Sequence, residues 1–181
     1  MLDLYFWTTN NGYRARTMVE ETGLPYNLHP VALPKREQLS DAFKKLHVGH
    51  KIPVLVDSEG PGGPINIPES PAILRYLAMK TNSPLLPKDP RARAEVRATA
   101  LAIACDIHPL NNLRVLQHLK RGLGQSDDQV SAWYRHWVAD GLSRFEADLA
   151  SGGTTGRFCH GDSPTMVDCC LVPQIFNAHR Y

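Results

Sequence analysis

A chain of 181 residues, 43% hydrophobic and 21% charged, is long enough for one large globular domain or two small ones, with a core that needs no disulfide or metal staple. Its net charge of +2, with no basic run longer than two residues, excludes the electrostatic footprint of a nucleic-acid binder. No apolar stretch approaches the ~18 residues of a membrane span, and Met1 leads straight into a strand pattern rather than a leader, so no membrane partner is expected.

In chain order, Leu2–Trp7 reads as a strand. Tyr13–Thr22 reads as a helix with Ala15, Met18 and Val19 on one face and Gly23 as its C-terminal stop. Tyr26–Val31 is a second strand pattern and Ser40–Leu46 a short helix. "IPVLVD" (52–57) and "PINI" (64–67) read as a hairpin around the turn-forming "SEGPGG". "ESPAILRYLAMKT" (69–81) places Ser70 as an N-cap, Pro71 at the first helical position, and Ile73, Leu74 and Leu77 on one face. The order βαβαββα fits a small mixed sheet. "NSPLLPKDP" (82–90), with its prolines, reads as a linker. Beyond it the strand signals disappear: 91–120 and 128–150 predict two long helices and 165–178 a third. The expected architecture is an α/β domain over 1–81 followed by an all-α domain over 91–181. Cys105, Cys159, Cys169 and Cys170 show neither CxxC nor zinc-ligand spacing, which predicts reduced thiols in a cytoplasmic protein and no metal site.

Three separated stretches of the first domain carry groups suited to one ligand. "TTNNG" (8–12) offers hydroxyl and amide groups at a helix N-terminus, where donors and the helix dipole stabilise a thiolate; the plain alternative is a polar turn. Pro53 is either a strand-initiating proline or the second half of a cis bond that turns the Ile52 backbone toward an extended ligand. Glu69 and Ser70, at a helix start, offer a carboxylate for an amine and N–H groups for a carboxylate, or ordinary capping.

The run "LYFWTTNNGYRARTMVEETGLPY…KIPVLVD…ESPAILRYLAMKT" resembles the thioredoxin-fold domain of the cytosolic glutathione transferases, and the helical second half extends the resemblance over essentially the whole chain. The resemblance implies a thioredoxin-like domain followed by an all-helical one, with glutathione as cofactor. It implies a cis proline at Pro53, backbone pairing of Ile52 with the cysteinyl part of glutathione, and a γ-glutamyl site at Glu69 and Ser70. Thr9-Asn10-Asn11-Gly12 is similar to the Thr-x-Asn-Gly loop of the bacterial nu-like branch, which implies Thr9 and Asn11 as the catalytic residues near the thiol. Gln38, in "KREQL", matches a glutamine near the glycyl end, where Lys51 adds charge.

The second half resembles a narrower branch. "PLLPKDPRARAEVRATALAIACDIHPLNNLRVLQHL" (84–119) and "GRFCHGDSPTMVDCCLVPQIFNAHRY" (156–181) are similar to the zeta-class enzymes, the maleylacetoacetate and maleylpyruvate isomerases. His108 and Asn112 correspond to glutathione contacts there, and Arg114 and Arg180 to arginines of an acidic-substrate pocket, with Arg16 a further candidate. The plain reading of His108 is a satisfied helix imidazole beside Pro109. Thr165 and Asp168 form a capping-box variant, a folding signal rather than a catalytic one. The implied activity, part of aromatic compound catabolism, is cis–trans isomerisation of a small unsaturated keto acid: the glutathione thiol adds to the double bond, the new single bond rotates, and the thiol leaves.

Two departures keep alternatives open. The zeta-class loop carries a serine that this chain lacks, so Thr9 or Asn11 must replace it, and a glutathione-dependent disulfide reductase or peroxidase, a general conjugating transferase, or a non-catalytic glutathione-binding scaffold also fits. The chain also stops at "NAHRY", where members of the family continue, so a C-terminally shortened protein with lower stability or a more open pocket is expected. A homodimer is implied as well, through apolar candidates such as Ala72, Tyr76 and Met79.

Overall fold

The computed structural model describes residues 1–181, which divide into two compact units, Met1–Leu86 and Pro87–Tyr181. In the first, β1 (Leu2–Phe6), α1 (Asn10–Thr22), β2 (Tyr26–Pro30), α2 (Asp41–Leu46), β3 (Val54–Asp57), β4 (Ile65–Pro68) and α3 (Ser70–Thr81) follow one another, with two 3-10 turns between β2 and α2. The sheet order is β2-β1-β3-β4. β1 pairs with β2 in parallel, and β3 runs antiparallel to both β1 and β4.

The two-residue period of β1 sorts its side chains to opposite faces. Leu2, Leu4 and Phe6 are buried on one face, with Ala15, Met18 and Val19 of α1 and Ile73, Leu74 and Leu77 of α3 completing the core. Each full burial of this kind contributes about 1.5–3 kcal/mol. Tyr5 and Trp7 point the other way and pack on Val31, Phe43, Ile52 and Val54.

Two helix starts differ from expectation. The first helix begins at Asn10 rather than Tyr13, because Thr9 is extended and its Oγ1 accepts from the Gly12 N–H at 3.3 Å. The third begins with Ser70 inside the helix and Glu69 as its cap, at φ 67°. A left-handed glutamate cannot join the helix, so the boundary moves one residue.

The second unit is helical: α4 (Pro90–Leu101), α5 (Leu113–Gln117), α6 (Asp127–Ser151) and α7 (Met166–Ala178). The single helix expected over 91–120 is broken. A π turn, Ala102–Ile107, follows α4 and closes with the His108 N–H on the Ile103 carbonyl at 3.0 Å, and a 3-10 turn covers Pro109–Asn111. A second π turn, His118–Gly122, follows α5. Pro109 has no N–H to give a preceding turn, so the regular helical ladder does not run through it. Asn112 then restarts the chain as the N-cap of α5.

The longest helix, α6, opens with a capping box between Ser126 and Gln129, and α7 with one between Thr165 and Asp168. Asp168 also accepts from the Cys159 N–H at 3.1 Å, so its carboxylate is committed to folding. Helix α6 crosses the first π turn at Gly141, where a Cβ would lie 2.5 Å from Ile107 Cγ1, and Trp133 Nε1 donates to the Leu110 carbonyl at 2.8 Å. No helix is long and apolar enough to cross a membrane.

Candidate functional site

The strand directions decide where ligand groups of the first unit can gather. With β1, β2 and β4 parallel and β3 reversed between β1 and β4, the C-terminal ends of three strands share one end of the sheet with the start of the fourth. Thr9 and Asn11 follow β1, Gln38 follows β2, Lys51–Pro53 precede β3, and Glu69 and Ser70 follow β4. Carboxyl ends of strands are where open α/β sheets bind ligands. Direct contacts tie these segments together. Trp7 packs against the buried cluster that contains Ile52, Lys51 Nζ lies 3.6 Å from Glu69 Oε1, and His50 Nδ1 is 3.0 Å from the Gln38 carbonyl oxygen.

Thr9 caps α1 through its acceptor side and points its hydroxyl proton at the Trp7 carbonyl at a long 3.4 Å. Asn11, two residues into the helix, is half-buried, and its Oδ1 is shut off from solvent with no hydrogen-bond partner. A buried acceptor without a donor costs about 1–3 kcal/mol unless something supplies one. Gly12 makes this geometry possible, since a Cβ there would lie 2.1 Å from the Trp7 oxygen. The helix N-terminus therefore sits directly against the end of β1, with its dipole and leading N–H groups aimed outward.

Ile52 and Pro53 are buried and joined by a cis peptide bond. Both ladders of β3 end at Val54, which leaves the Ile52 backbone N–H and carbonyl outside the sheet. Beside it, Glu69 adopts φ 67° and ψ 118°, a region a side chain enters only at a cost of about 1–3 kcal/mol. Its carboxylate stays exposed while Ser70 is 3% exposed at the first turn of α3. Gln38 Oε1 is a second buried acceptor with no partner. His50, itself at φ 53°, holds the Gln38 backbone and was not among the sequence candidates; its only sequence signal is the "HK" step before Ile52.

Arg16 lies elsewhere on α1. Its Nε is 3.5 Å from Glu20 Oε1 and its guanidinium stands 5.6 Å over the Phe6 ring. Burial opposes its charge, but bonds to Tyr26 and Glu20 outweigh that and raise its pKa.

The second unit places its candidates around the broken helix and at the chain end. His108 is half-buried between the two turns. Asn112 Oδ1 accepts from the Arg114 N–H at 3.2 Å, so its amide oxygen is committed to the cap, and Arg114 is exposed on α5. Arg180 is exposed just past α7. Sequence reasoning passed over Asn111, which is buried at 8% exposure with neither amide atom partnered. Nothing in the pattern "PLNN" distinguishes its first asparagine from a turn former.

Electrostatics at the far end of the sheet are structural. Asp57 is fully buried, accepts from Tyr76 Oη at 2.6 Å, and pairs with Lys80 Nζ at 2.7 Å. Burial pushes its carboxyl up, yet the bonds from Lys80, Tyr76 and the Glu59 N–H outweigh it and hold the pKa below the ordinary value. Burial and the Asp57 carboxylate push the Tyr76 phenol up to about 12. No cysteine is in a disulfide; Cys159, Cys169 and Cys170 are buried and Cys105 is exposed. Burial first, and Asp168 second, push the Cys159 thiol up to about 12.

Comparison with known proteins gives this arrangement a family. The model of the glutathione S-transferase N-terminal domain matches residues 11–80. Maleylpyruvate isomerase of Ralstonia sp is 39% identical over 177 residues, 97% of this chain and 81% of that protein, so one relative aligns through both units. The maleylacetoacetate isomerase of Methylobacterium extorquens AM1, solved with malonate and glutathione bound, superposes with TM-score 0.90 at 32% identity, over 98% of this chain and 82% of that one. The enzyme of that name from Anaeromyxobacter dehalogenans 2CP-1, solved with dicarboxyethyl glutathione and citrate in its active site, does so at 0.83 and 34%, over 99% and 81%. With a thioredoxin-like sheet, a helical second unit and relatives that match across both, this chain belongs to the glutathione transferase family.

Proposed function

We propose that this chain is a glutathione-dependent cis–trans isomerase of a short unsaturated keto diacid, maleylpyruvate or maleylacetoacetate. The observation that carries the reading is the buried, partnerless Asn11 acceptor at the start of α1, at the sheet end where the Ile52 backbone is left unpaired by both ladders. The residues there fit glutathione, which is bound in the Methylobacterium relative. Bound in this way, glutathione supplies the thiol that adds to the conjugated double bond and leaves after rotation.

The chain's own groups divide the remaining work. Ile52 N–H and C=O pair with the cysteinyl backbone, Glu69 takes the ammonium group, and Ser70 with the leading N–H groups of α3 takes the adjacent carboxylate. Gln38 and Lys51 serve the glycyl end. Asn11 is the candidate thiol partner through its Nδ2–H donors, which suit a thiolate, since its Oδ1 is enclosed. Thr9 keeps the helix start in place, since its hydroxyl already caps α1. In the second unit His108 and Asn112 are the glutathione-facing candidates. Arg114 and Arg180 suit the substrate carboxylates, because a guanidinium binds them bidentately and keeps its charge. Arg16 is the weakest of the arginines, with Glu20 already beside it. We place the protein in the cytoplasm as a homodimer, with exposed Ala72 and Met79 of α3 as the candidate face; the Tyr76 hydroxyl is taken by Asp57.

A second reading, a glutathione-dependent disulfide reductase, is favoured by the Thr-x-Asn-Gly loop itself. One comparison separates the two. Wild type, Asn11→Ala, Thr9→Ser and Arg180→Ala are assayed with glutathione against maleylpyruvate and against 2-hydroxyethyl disulfide. The isomerase reading expects maleylpyruvate turnover, a loss of about 100-fold in kcat for Asn11→Ala as one charge-stabilising group is removed, and little change for Thr9→Ser. It expects Arg180→Ala to raise KM for the acid about tenfold or more. Rapid disulfide turnover without isomerisation decides for the second reading.

A further inference from the structure

Arg180 stands in an unpromising place for a precise contact. It lies one residue beyond the C-cap of α7, His179, where helices fray and long side chains keep their freedom. Three backbone bonds hold the stretch: His179 N–H to the Ile175 carbonyl at 3.1 Å, Arg180 N–H to Asn177 at 3.1 Å and Tyr181 N–H to Ala178 at 3.3 Å. Alone these are one loose turn. The next residue adds something of a different kind. The Tyr181 ring lies parallel on the Tyr134 ring, centroids 3.7 Å apart and planes 15° apart.

Tyr134 belongs to the buried face of α6 and is 3% exposed, whereas Tyr181 is 47% exposed. The stack is therefore an anchor on the buried face of α6, gripping the residue next to Arg180. Stacked aromatic pairs attract beyond what their buried area gives, enough to hold a helix terminus that local bonds leave marginal. The Arg180 charge also reaches the Tyr134 phenol: burial pushes that phenol up to about 12, Tyr181 adds to the rise, and Arg180 opposes it. The three groups share one neighbourhood within the second unit.

We propose that Tyr181, stacked on Tyr134, is a positioning residue for Arg180, fixing the guanidinium so that it meets a dicarboxylate ligand already ordered. The inference rests on the assignment of Arg180 to the acid in the proposed function. A helix end tied down only for stability would show its effect in melting; a positioning device shows it in ligand affinity, and only when Arg180 is present.

The test uses malonate, the dicarboxylate held with glutathione in the Methylobacterium relative, titrated into glutathione-loaded protein, so that no turnover is required. Wild type, Tyr181→Phe, Tyr181→Ala, Arg180→Ala and the Arg180→Ala/Tyr181→Ala double variant are compared. Tyr181→Ala should weaken malonate about fivefold, the cost of ordering one long side chain on binding. Tyr181→Phe should bind malonate within twofold of wild type, glutathione affinity should stay put in every variant, and any fall in thermal midpoint caused by Tyr181→Ala should be the same with and without Arg180. In the Arg180→Ala background Tyr181→Ala should add nothing. Unchanged malonate binding in Tyr181→Ala, an equal loss with and without Arg180, or no malonate binding by wild type overturns the proposal. The isomerase reading fails on a different result, absent maleylpyruvate turnover, and the malonate titrations decide the stack either way.

Discussion

Gly12→Ala is expected to lower the thermal midpoint by roughly 5–10 °C and to weaken glutathione binding, against the usual direction of a glycine-to-alanine change within a helix. Propensity alone would favour alanine by up to about 1 kcal/mol. The close approach opposes it, because the new Cβ would sit 2.1 Å from the Trp7 carbonyl oxygen. The obstacle is backbone, fixed by the β1 ladder on one side and by the Thr9 N–H on the other, so no side-chain swing relieves it. Overpacking of this kind costs about 1–3 kcal/mol and occasionally more. Against fixed backbone the cost falls at or above the top of that range, and less about 1 kcal/mol of propensity the net loss of about 2–3 kcal/mol, at the few degrees per kcal/mol of a chain this size, gives the midpoint shift. Its functional half follows from displacement: if α1 backs away from β1, the Asn11 amide moves with it. Calorimetry and glutathione titration on the same sample check both halves. A stabilised Gly12→Ala protein with unchanged affinity would show that the contact relaxes without consequence.

Asp57→Asn is expected to destabilise by about 2–3 kcal/mol at neutral pH and to flatten the acid side of the stability curve. The carboxylate is enclosed, and Lys80 and Tyr76 both turn to it. Removing one member of a buried pair typically costs about 3–5 kcal/mol; the lower figure applies because the Lys80 side chain is 31% exposed and recovers water. The sign with pH follows from the depressed folded-state pKa. Stability from the carboxylate is fully present above the unfolded value of about 3.9 and is lost as pH falls through the lower folded value. Urea melts between pH 7 and pH 3 should therefore show the wild type and the variant drawing together as the solution becomes acidic. A constant gap across that range would place the loss in packing instead of charge.

How much of this was legible in the sequence depended on whether the deciding interaction was local. The apolar periods of residues 15–19 and 73–77 marked the buried faces of α1 and α3, and all six residues expected there are enclosed. Boundaries slipped where a single residue left regular geometry: Thr9 starting α1 early, Glu69 turning left-handed ahead of Ser70, and Pro109 with the two π turns dividing what the pattern offered as one helix. The site was visible as three motifs, but the reason they meet is strand direction, which no single motif carries. Gly141 and Asp57 were missed because each owes its role to an atom far along the chain, and Gly12, visible only as a loop glycine, owes its role to a carbonyl across the turn. A glycine that touches a carbonyl and a glycine in a loop are spelled alike.

The enclosed sulfurs of the second unit have a consequence for the life of the protein in its own medium. On the proposed function the chain meets glutathione and with it glutathione disulfide, which forms a mixed disulfide with any protein thiolate it reaches. Exchange needs both access and ionisation. Cys159, Cys169 and Cys170 lack access, and Cys159 is held far from ionisation as well. These three sulfurs are therefore closed to mixed-disulfide formation, and the exposed Cys105 is the position left open to it.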